Sequence, residues 1–392
     1  MHLIYTSGVA EMQPSQPPGS PNCHGVLRNH CLDKNKLWNE ECSRHSERTR
    51  AYSSSTTKRF GKGSMSLKPE VLRERIKAVV IVQTTPFNKD GSLDLEGLKA
   101  NTRFLVDRCA GKRFVLVPTG STGEAYTLTD AERLQVIEAV VDCVDSKIPV
   151  LGGTGAAGTD RVIALSRAAE QAGADGVQIV LPYYHVPSEE GLVRHYLTVA
   201  DALNIGIIIY NNAAVSKLWM PPHLMARCAD HPNIIGDKEN TSDPLLFKAM
   251  RDAIDPAKMT VLCGIGEIQF ACEAALGCPG FVTALANLAP ELTLSLLDAA
   301  DRCDFAAIRL LMKKIEPWHS FITSCARNRG RDPWVLPGYA AGHIYVGVTK
   351  AALDIVGLAG GPVRGPGDDL TSAEKDELRT VLCQMGLLAG TA

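Results

Sequence analysis

Three hundred and ninety-two residues, 45% hydrophobic and 21% charged, suffice for one large domain or two average ones and need no disulfide or metal staple to hold a core. Forty-one Lys and Arg against 43 Asp and Glu leave a formal charge of −2, which argues against nucleic acid or anionic lipid as a partner. The longest apolar runs, such as Ala78 to Val82 and Gly206 to Tyr210, are far short of the roughly 18–20 residues needed to cross a bilayer, so no membrane partner is expected either.

Residues 1–64 carry Pro14, Pro17, Pro18 and Pro21, a Ser53 to Thr57 hydroxyl run and no sustained apolar period, which predicts a disordered N-terminal extension ahead of Met65. Arg48, Arg50, Lys58 and Arg59 among hydroxylated residues would suit a transit peptide, but Glu11, Asp33, Glu40, Glu41 and Glu47 would not. The twelve cysteines are scattered without a C-x-x-C pair, and several sit in apolar segments, as expected of reduced structural thiols. A cytoplasmic location is the expectation, a mitochondrial one the alternative.

From Ala78 the chain alternates short apolar runs with longer helical patterns. Strands are predicted at Ala78 to Val82, Phe114 to Val117, Ile148 to Leu151, Gly176 to Leu181, Ile205 to Tyr210, Ile234 to Asp237, Met259 to Leu262 and Gly280 to Ala284. Amphipathic stretches such as Leu93 to Cys109, Asp130 to Val144 and Asp160 to Ala172 lie between them. Continuous rather than alternating apolar strands are buried on both faces, as in a helix-covered parallel sheet. Eight such units predict an α/β fold, a closed (β/α)8 barrel over residues 65–300. The open doubly wound alternative lacks its G-x-G-x-x-G turn, since Gln83-Thr84-Thr85-Pro86-Phe87 follows the first strand. Helical patterns follow at Glu291 to Arg302, Phe305 to Ile315, Ile344 to Val356 and Ser372 to Leu388, and the last three, interrupted by a loop from Asn328 to Gly338, predict a C-terminal helical appendage over residues 301–392.

Active sites of such barrels lie at the C-terminal ends of the strands. Lys238 follows Ile234-Ile235-Gly236-Asp237, where burial would favour the neutral amine, a nucleophile able to condense with a ketone or aldehyde. The alternative is a lysine ion-paired to Asp237 or Glu239. Tyr210 ends the preceding strand at equivalent height, either as a proton relay for that amine or as an inert plug. Gly120-Ser121-Thr122-Gly123-Glu124 offers two hydroxyls and a small-residue turn for a carboxylate, or is an ordinary loop. Gly152-Gly153-Thr154-Gly155 reads as close backbone packing. The histidines show no H-x-H or H-x-x-x-H spacing, so no metal site is expected, and His185, His195, His223 and His231 read as surface or capping residues.

With Thr85-Pro86-Phe87, Pro182-Tyr183-Tyr184, Tyr210-Asn211, Gly236-x-Lys238 and Asp243 in this order, the chain from about Ile76 to Leu388 resembles the dihydrodipicolinate synthase/N-acetylneuraminate lyase family of Schiff-base-forming barrels. The resemblance implies that Lys238 binds C2 of pyruvate or another 2-oxo acid without a cofactor. It further implies that Ser121 and Thr122 hold the carboxylate and that Tyr210 moves protons, assisted by Ser121 and by Tyr184 of a neighbouring copy in a homo-oligomer, a dimer or tetramer. Asn211, Asn212, Asn240, Thr241, Glu267 and Thr283 would line the mouth for the rest of the substrate. The arginine used by the lysine-biosynthetic synthase for its second substrate falls on Val215. The turn Tyr210-Asn211-Asn212-Ala213 and the pattern Val346-x-x-x-Lys350 to Arg364 look most like 5-dehydro-4-deoxyglucarate dehydratase, whereas Gly120-Ser121-Thr122 is lyase-like. Three enzymatic expectations result: a lyase acting on pyruvate or a 2-oxo sugar acid, that decarboxylating dehydratase, or 4-hydroxy-tetrahydrodipicolinate synthase. The non-enzymatic one is a 2-oxo-acid sensor or scaffold.

Overall fold

The structure, a computed structural model, describes residues 66–329 and 344–389. The predicted extension over residues 1–64 and most of the loop from Asn328 to Gly338 lie outside these residues. The strands are β1 Val79–Val82, β2 Phe114–Val117, β3 Leu151–Gly153, β4 Gly176–Val180, β5 Gly206–Asn211, β6 Ile234–Glu239, β7 Thr260–Cys263 and β8 Phe281–Thr283. The helices are α1 Pro69–Arg75, α2 Leu95–Cys109, α3 Asp130–Val144, α4 Thr159–Gln171, α5 Glu189–Asp201, α6 Ala213–Ser216, α7 Pro222–Ala229, α8 Pro244–Ala253, α9 Glu267–Glu273, α10 Pro290–Asp301, α11 Phe305–Asn328, α12 Ile344–Ile355 and α13 Ser372–Gln384.

All strand pairs are parallel, in the order β2-β1-β8-β7-β6-β5-β4-β3. The last gap, between β2 and β3, is closed by the Leu116–Val150 bridge and by Gly153 N donating to the Pro118 carbonyl at 3.0 Å, completing a (β/α)8 barrel. β3 lies further along the chain than its apolar run predicts, because Gly152-Gly153 continues the strand. A Cβ at Gly153 would collide with the Thr119 carbonyl oxygen, so only glycine allows that approach.

Alternation along each strand divides the core in two. Val80, Val82, Val115, Val117, Leu151, Ile208, Ile235, Leu262 and Val282 fill the barrel, while the opposite-facing side chains meet the helices. The sequence pattern did not reveal α1, which closes the N-terminal end of the barrel by inserting Leu72 and Ile76. Glycine at three neighbouring strand positions makes room for them: a Cβ at Gly176 or Gly206 would meet the end of Leu72 at 2.7 or 3.0 Å, and one at Gly236 would meet the end of Ile76 at 2.8 Å. Each such fully buried aliphatic side chain contributes about 1.5–3 kcal/mol.

The C-terminal helices continue the outer layer. Helix α11 was expected to end near Ile315, yet it runs through Pro317 to Asn328. Burial of Trp318, Phe321, Cys325 and Ala326 beyond the proline outweighs the roughly 3 kcal/mol that an interior proline costs.

Candidate active site

The register of β5 on β6 sets Tyr210 directly beside Lys238. Both point inward at the C-terminal end of the barrel, and both are buried. The Lys238 ammonium lies over the Tyr210 ring, 3.6 Å from its centroid. Burial lowers the Lys238 pKa, opposed only by Tyr210 and the Cys263 thiol, with no carboxylate among the opposing groups. Asp237 and Glu239 occupy the other face of β6, so the ion pair weighed from the sequence does not form. Asp237 is buried with neither carboxylate oxygen partnered, and burial with Glu239 nearby pushes its pKa well above the usual range. Glu239 is held behind the strand by Asn211 Nδ2 at 2.8 Å, Trp219 Nε1 at 3.1 Å and Thr241 N at 2.8 Å. Burial raises its pKa to about 7.

The turn after β2 is built on two left-handed residues, Thr119 at φ 59° and Glu124 at φ 54°. For a β-branched residue such as Thr119 this conformation is a strained outlier, costing about 1–3 kcal/mol. It is fixed by Thr119 Oγ1 donating to the Gly153 carbonyl, and Glu124 N donates to Ser121 O to close the turn. The result presents Ser121, half-buried, and Thr122, buried, at the barrel mouth.

The far wall of the mouth comes from the C-terminal helices. Lys350 on α12 donates to Glu124 Oε1 at 2.6 Å and to Thr85 O at 2.9 Å, and Arg364 N donates to Glu124 Oε2 at 2.8 Å. The Lys350 ammonium and the Arg364 guanidinium each lie 4.3 Å from the centroid of the Phe87 ring. Tyr345 on the same helix lies near Thr122 and Tyr210, and burial raises the pKa of its phenol well above the usual value. His319 on α11 meets Glu267 Oε2 at 3.1 Å, and Thr283 donates to Glu267 Oε1. Glu267 is buried, yet His319 and Thr283 hold its pKa below the usual value.

The fold therefore brings Lys238, Tyr210, Ser121, Thr122 and Glu267 to one end of the barrel. It does not turn Asn211 to the mouth: its amide faces outward, fully engaged by Met220 N and O and by Glu239. This corrects the expected substrate contact, and strand alternation is the reason. Asn240 is buried against Gly264, where a Cβ would collide with its side chain, and the Thr241 hydroxyl accepts from Asp243 N within its own turn. The Thr283 hydroxyl is committed to Glu267 and Leu285 N. Tyr184 is 69% exposed. His195, expected as a surface or capping residue, is buried with Nδ1 on Oγ1 of Thr159, the first residue of α4, at 2.9 Å, and burial lowers its pKa to about 4. Among the described residues no group of three or more His, Cys, Asp and Glu side chains is placed to hold a metal.

Sequence reasoning missed His319, Tyr345 and the clamp made by Lys350. The only available signal was the Lys350 to Arg364 pattern, since nothing local says that a late helix folds back over the barrel.

Residues 75–328 match the model of the dihydrodipicolinate synthetase family. The 4-hydroxy-tetrahydrodipicolinate synthase of Methanoculleus marisnigri is 34% identical over 304 residues, spanning 77% of this chain and 97% of that protein. A crystal structure of dihydrodipicolinate synthase from Acinetobacter baumannii complexed with pyruvate is 30% identical, covering 80% of this chain and all of that one, with a TM-score of 0.69. YagE, a prophage protein of the same family from Escherichia coli K12, also in complex with pyruvate, is 29% identical over 79% of this chain and 99% of its own, with a TM-score of 0.68.

Proposed function

From the premise that the chain belongs to the dihydrodipicolinate synthetase family and is a Schiff-base-forming lyase of the class I aldolase type, we propose that Lys238 condenses with C2 of pyruvate or a related 2-oxo acid. The observation that carries this reading is the placement of Lys238: buried, stacked on Tyr210, and separated by the sheet from both neighbouring carboxylates. A neutral amine there attacks the carbonyl, and the carbinolamine hydroxyl leaves as water with a proton supplied through Tyr210. The resulting iminium draws electrons from the adjacent carbon, so C3 loses a proton to give an enamine, or a bond between C3 and C4 breaks. Ser121 and Thr122 hold the carboxylate in this reading, with Tyr345 close to Thr122. A sensor or scaffold has no use for a desolvated nucleophile beside a phenol.

For the second substrate, α6 carries Val215 where a carboxylate would need a cation. The nearest alternative in sequence, Lys217, donates to the Tyr184 carbonyl at 3.3 Å. This supports a hydroxylated 2-oxo sugar acid over aspartate semialdehyde, with Glu267 as a hydrogen-bonding group. The synthase named among the relatives is the second reading, and none of the proteins compared above singles out the decarboxylating dehydratase. The exposed Tyr184-His185-Val186 turn supports a homo-oligomer, dimer or tetramer, in which Tyr184 reaches a neighbouring copy.

Borohydride with pyruvate is expected to add a stable mass to Lys238 alone, located by peptide mapping, because hydride traps an iminium. Absence of an adduct with pyruvate and with longer 2-oxo acids, or equal labelling of Lys238→Ala, overturns the reading. Comparing kcat/KM for aspartate semialdehyde plus pyruvate with that for 2-oxo sugar acids then separates the two substrate classes. Val215 is 45% exposed, so a carboxylate beside it keeps part of its water, and the missing cation predicts a preference for the sugar acid of about tenfold or less.

A further inference from the structure

Two consecutive asparagines follow Tyr210, and the strand sends them to opposite sides. Asn211 faces outward and clasps the loop at its far end through Met220. Asn212 faces inward, is only 4% exposed, and makes three hydrogen bonds. Its Oδ1 accepts from Ala214 N at 3.1 Å and Val215 N at 3.3 Å, capping α6. Its Nδ2 donates to the Tyr210 hydroxyl oxygen at 2.7 Å.

The cap decides which end of the amide is which. Two backbone N–H groups require an acceptor, so the carbonyl oxygen must face α6 and the NH2 must face the phenol. An Asn turned the other way would leave both N–H groups opposite a donor. The phenol oxygen of Tyr210 is therefore an acceptor towards Asn212, and its own proton must point elsewhere.

We propose that Asn212 is a positioning residue for proton transfer: by donating to the Tyr210 oxygen it directs the hydroxyl proton into the site and steadies the phenolate left when that proton is given away. The inference rests on the Schiff-base reading above. In balanced form, Tyr210 gives its proton to the carbinolamine hydroxyl, the C–O bond breaks and water leaves. The phenolate, held by Asn212 N–H, then takes a proton from C3 as the enamine forms, which restores the phenol. A hydrogen bond that strengthens when its acceptor becomes charged favours the proton-transfer steps over ground-state binding.

The test uses variants that keep the helix cap. Ser and Asp are both good N-caps, so Asn212→Ser and Asn212→Asp retain α6, while neither offers the amide N–H. Asn212→Ser is expected to slow borohydride trapping, and deuterium exchange into the methyl group of pyruvate, about tenfold to a hundredfold, with KM for pyruvate changed less than twofold and thermal stability near that of the parent. Asn212→Asp is expected to be slower still, because a carboxylate repels the phenolate. In a Tyr210→Phe background Asn212→Ser should cost nothing further, since the group it acts through is gone. Equal losses in both backgrounds, or a raised KM with unchanged kcat, would overturn the proposal. So would parent-like trapping and exchange in Asn212→Ser. Failure of the parent itself to form an adduct is a different result, which overturns the Schiff-base reading beneath the proposal.

Discussion

Lys238 and Lys350 are both buried, 4% and 1% exposed, yet their surroundings prepare them for opposite tasks. Lys350 meets a carboxylate, a backbone carbonyl and an aromatic face, all of which stabilise an ammonium. Lys238 meets a phenol ring and a thiol, and the two acids beside it in sequence lie across the sheet. Burial lowers the pKa of both; only at Lys350 does an acid oppose it. Burial alone therefore does not distinguish a nucleophile from a clamp, whereas the face on which the acids stand does.

The largest expected effect comes from exchanging each lysine for a residue of similar length. Lys238→Met should abolish the trapped adduct and reduce turnover at least about a thousandfold, with stability unchanged or higher because a desolvated amine is replaced by an apolar chain. Lys350→Met should leave Glu124 buried without its cation and lose about 3–5 kcal/mol in chemical denaturation, while the adduct still forms at Lys238. Lys350→Met/Glu124→Gln should recover part of that loss. An adduct that disappears in Lys350→Met at unchanged stability would erase the distinction.

The same contrast explains how much could be read in advance. Strand ends are legible because an apolar run stops where a polar residue begins, so Tyr210, Lys238 and the Ser121-Thr122 turn could be assigned to the mouth. Facing was harder. Lys238 and Asn211 differ by a single alternation from their neighbours, and the irregular register between Ile207 and Ile208 prevents counting across β5 and β6. Contacts over long separations were out of reach: Lys350 and Glu124 are 226 positions apart, and His319 and Glu267 are 52. The Lys350 to Arg364 pattern was the only trace of the first pair. Helix α1 was missed because a seven-residue segment has too few turns to show a period.

His195 provides a smaller test, of burial without any charged partner. Its Nδ1 bonds Thr159, and its buried Nε2 has no partner, so the protonated ring would carry a buried N–H without an acceptor. The folded pKa of about 4 lies below the unfolded value of about 6.5, so the unfolded chain binds the proton first. The stability associated with a neutral His195 is complete above about pH 6.5 and is lost as pH falls towards 4, by at most about 3 kcal/mol. Glu239 and Glu273, raised by burial to about 7, give the opposite slope in the same window. The measurement is therefore the difference between parent and His195→Gln denaturation curves at pH 7 and pH 5. A difference independent of pH would mean that His195 does not titrate as burial dictates.

The smallest effect is expected at the rim of the Lys350 clamp, where the same physics operates in water. Arg364 donates to both oxygens of Glu132, at 2.8 and 3.1 Å, and Thr129 N and Oγ1 add two more bonds. Arg364 first, then Thr129, holds the Glu132 carboxyl down at about 2. The unfolded value is about 4.3, so the stability from this pair is present above about pH 4.3 and is lost as pH falls towards 2. Solvent around both side chains limits it to about 1 kcal/mol or less at neutral pH, and salt should weaken it further. Glu132→Gln is the suitable probe, because glutamine still completes the capping box at the start of α3 and removes only the charge. The parent should be slightly more stable than the variant at pH 7, and the gap should close between about pH 4 and pH 2. A gap of several kcal/mol would show that the rim pair is as desolvated as Lys350 and Glu124, and the boundary between clamp and solvent would then lie beyond Arg364.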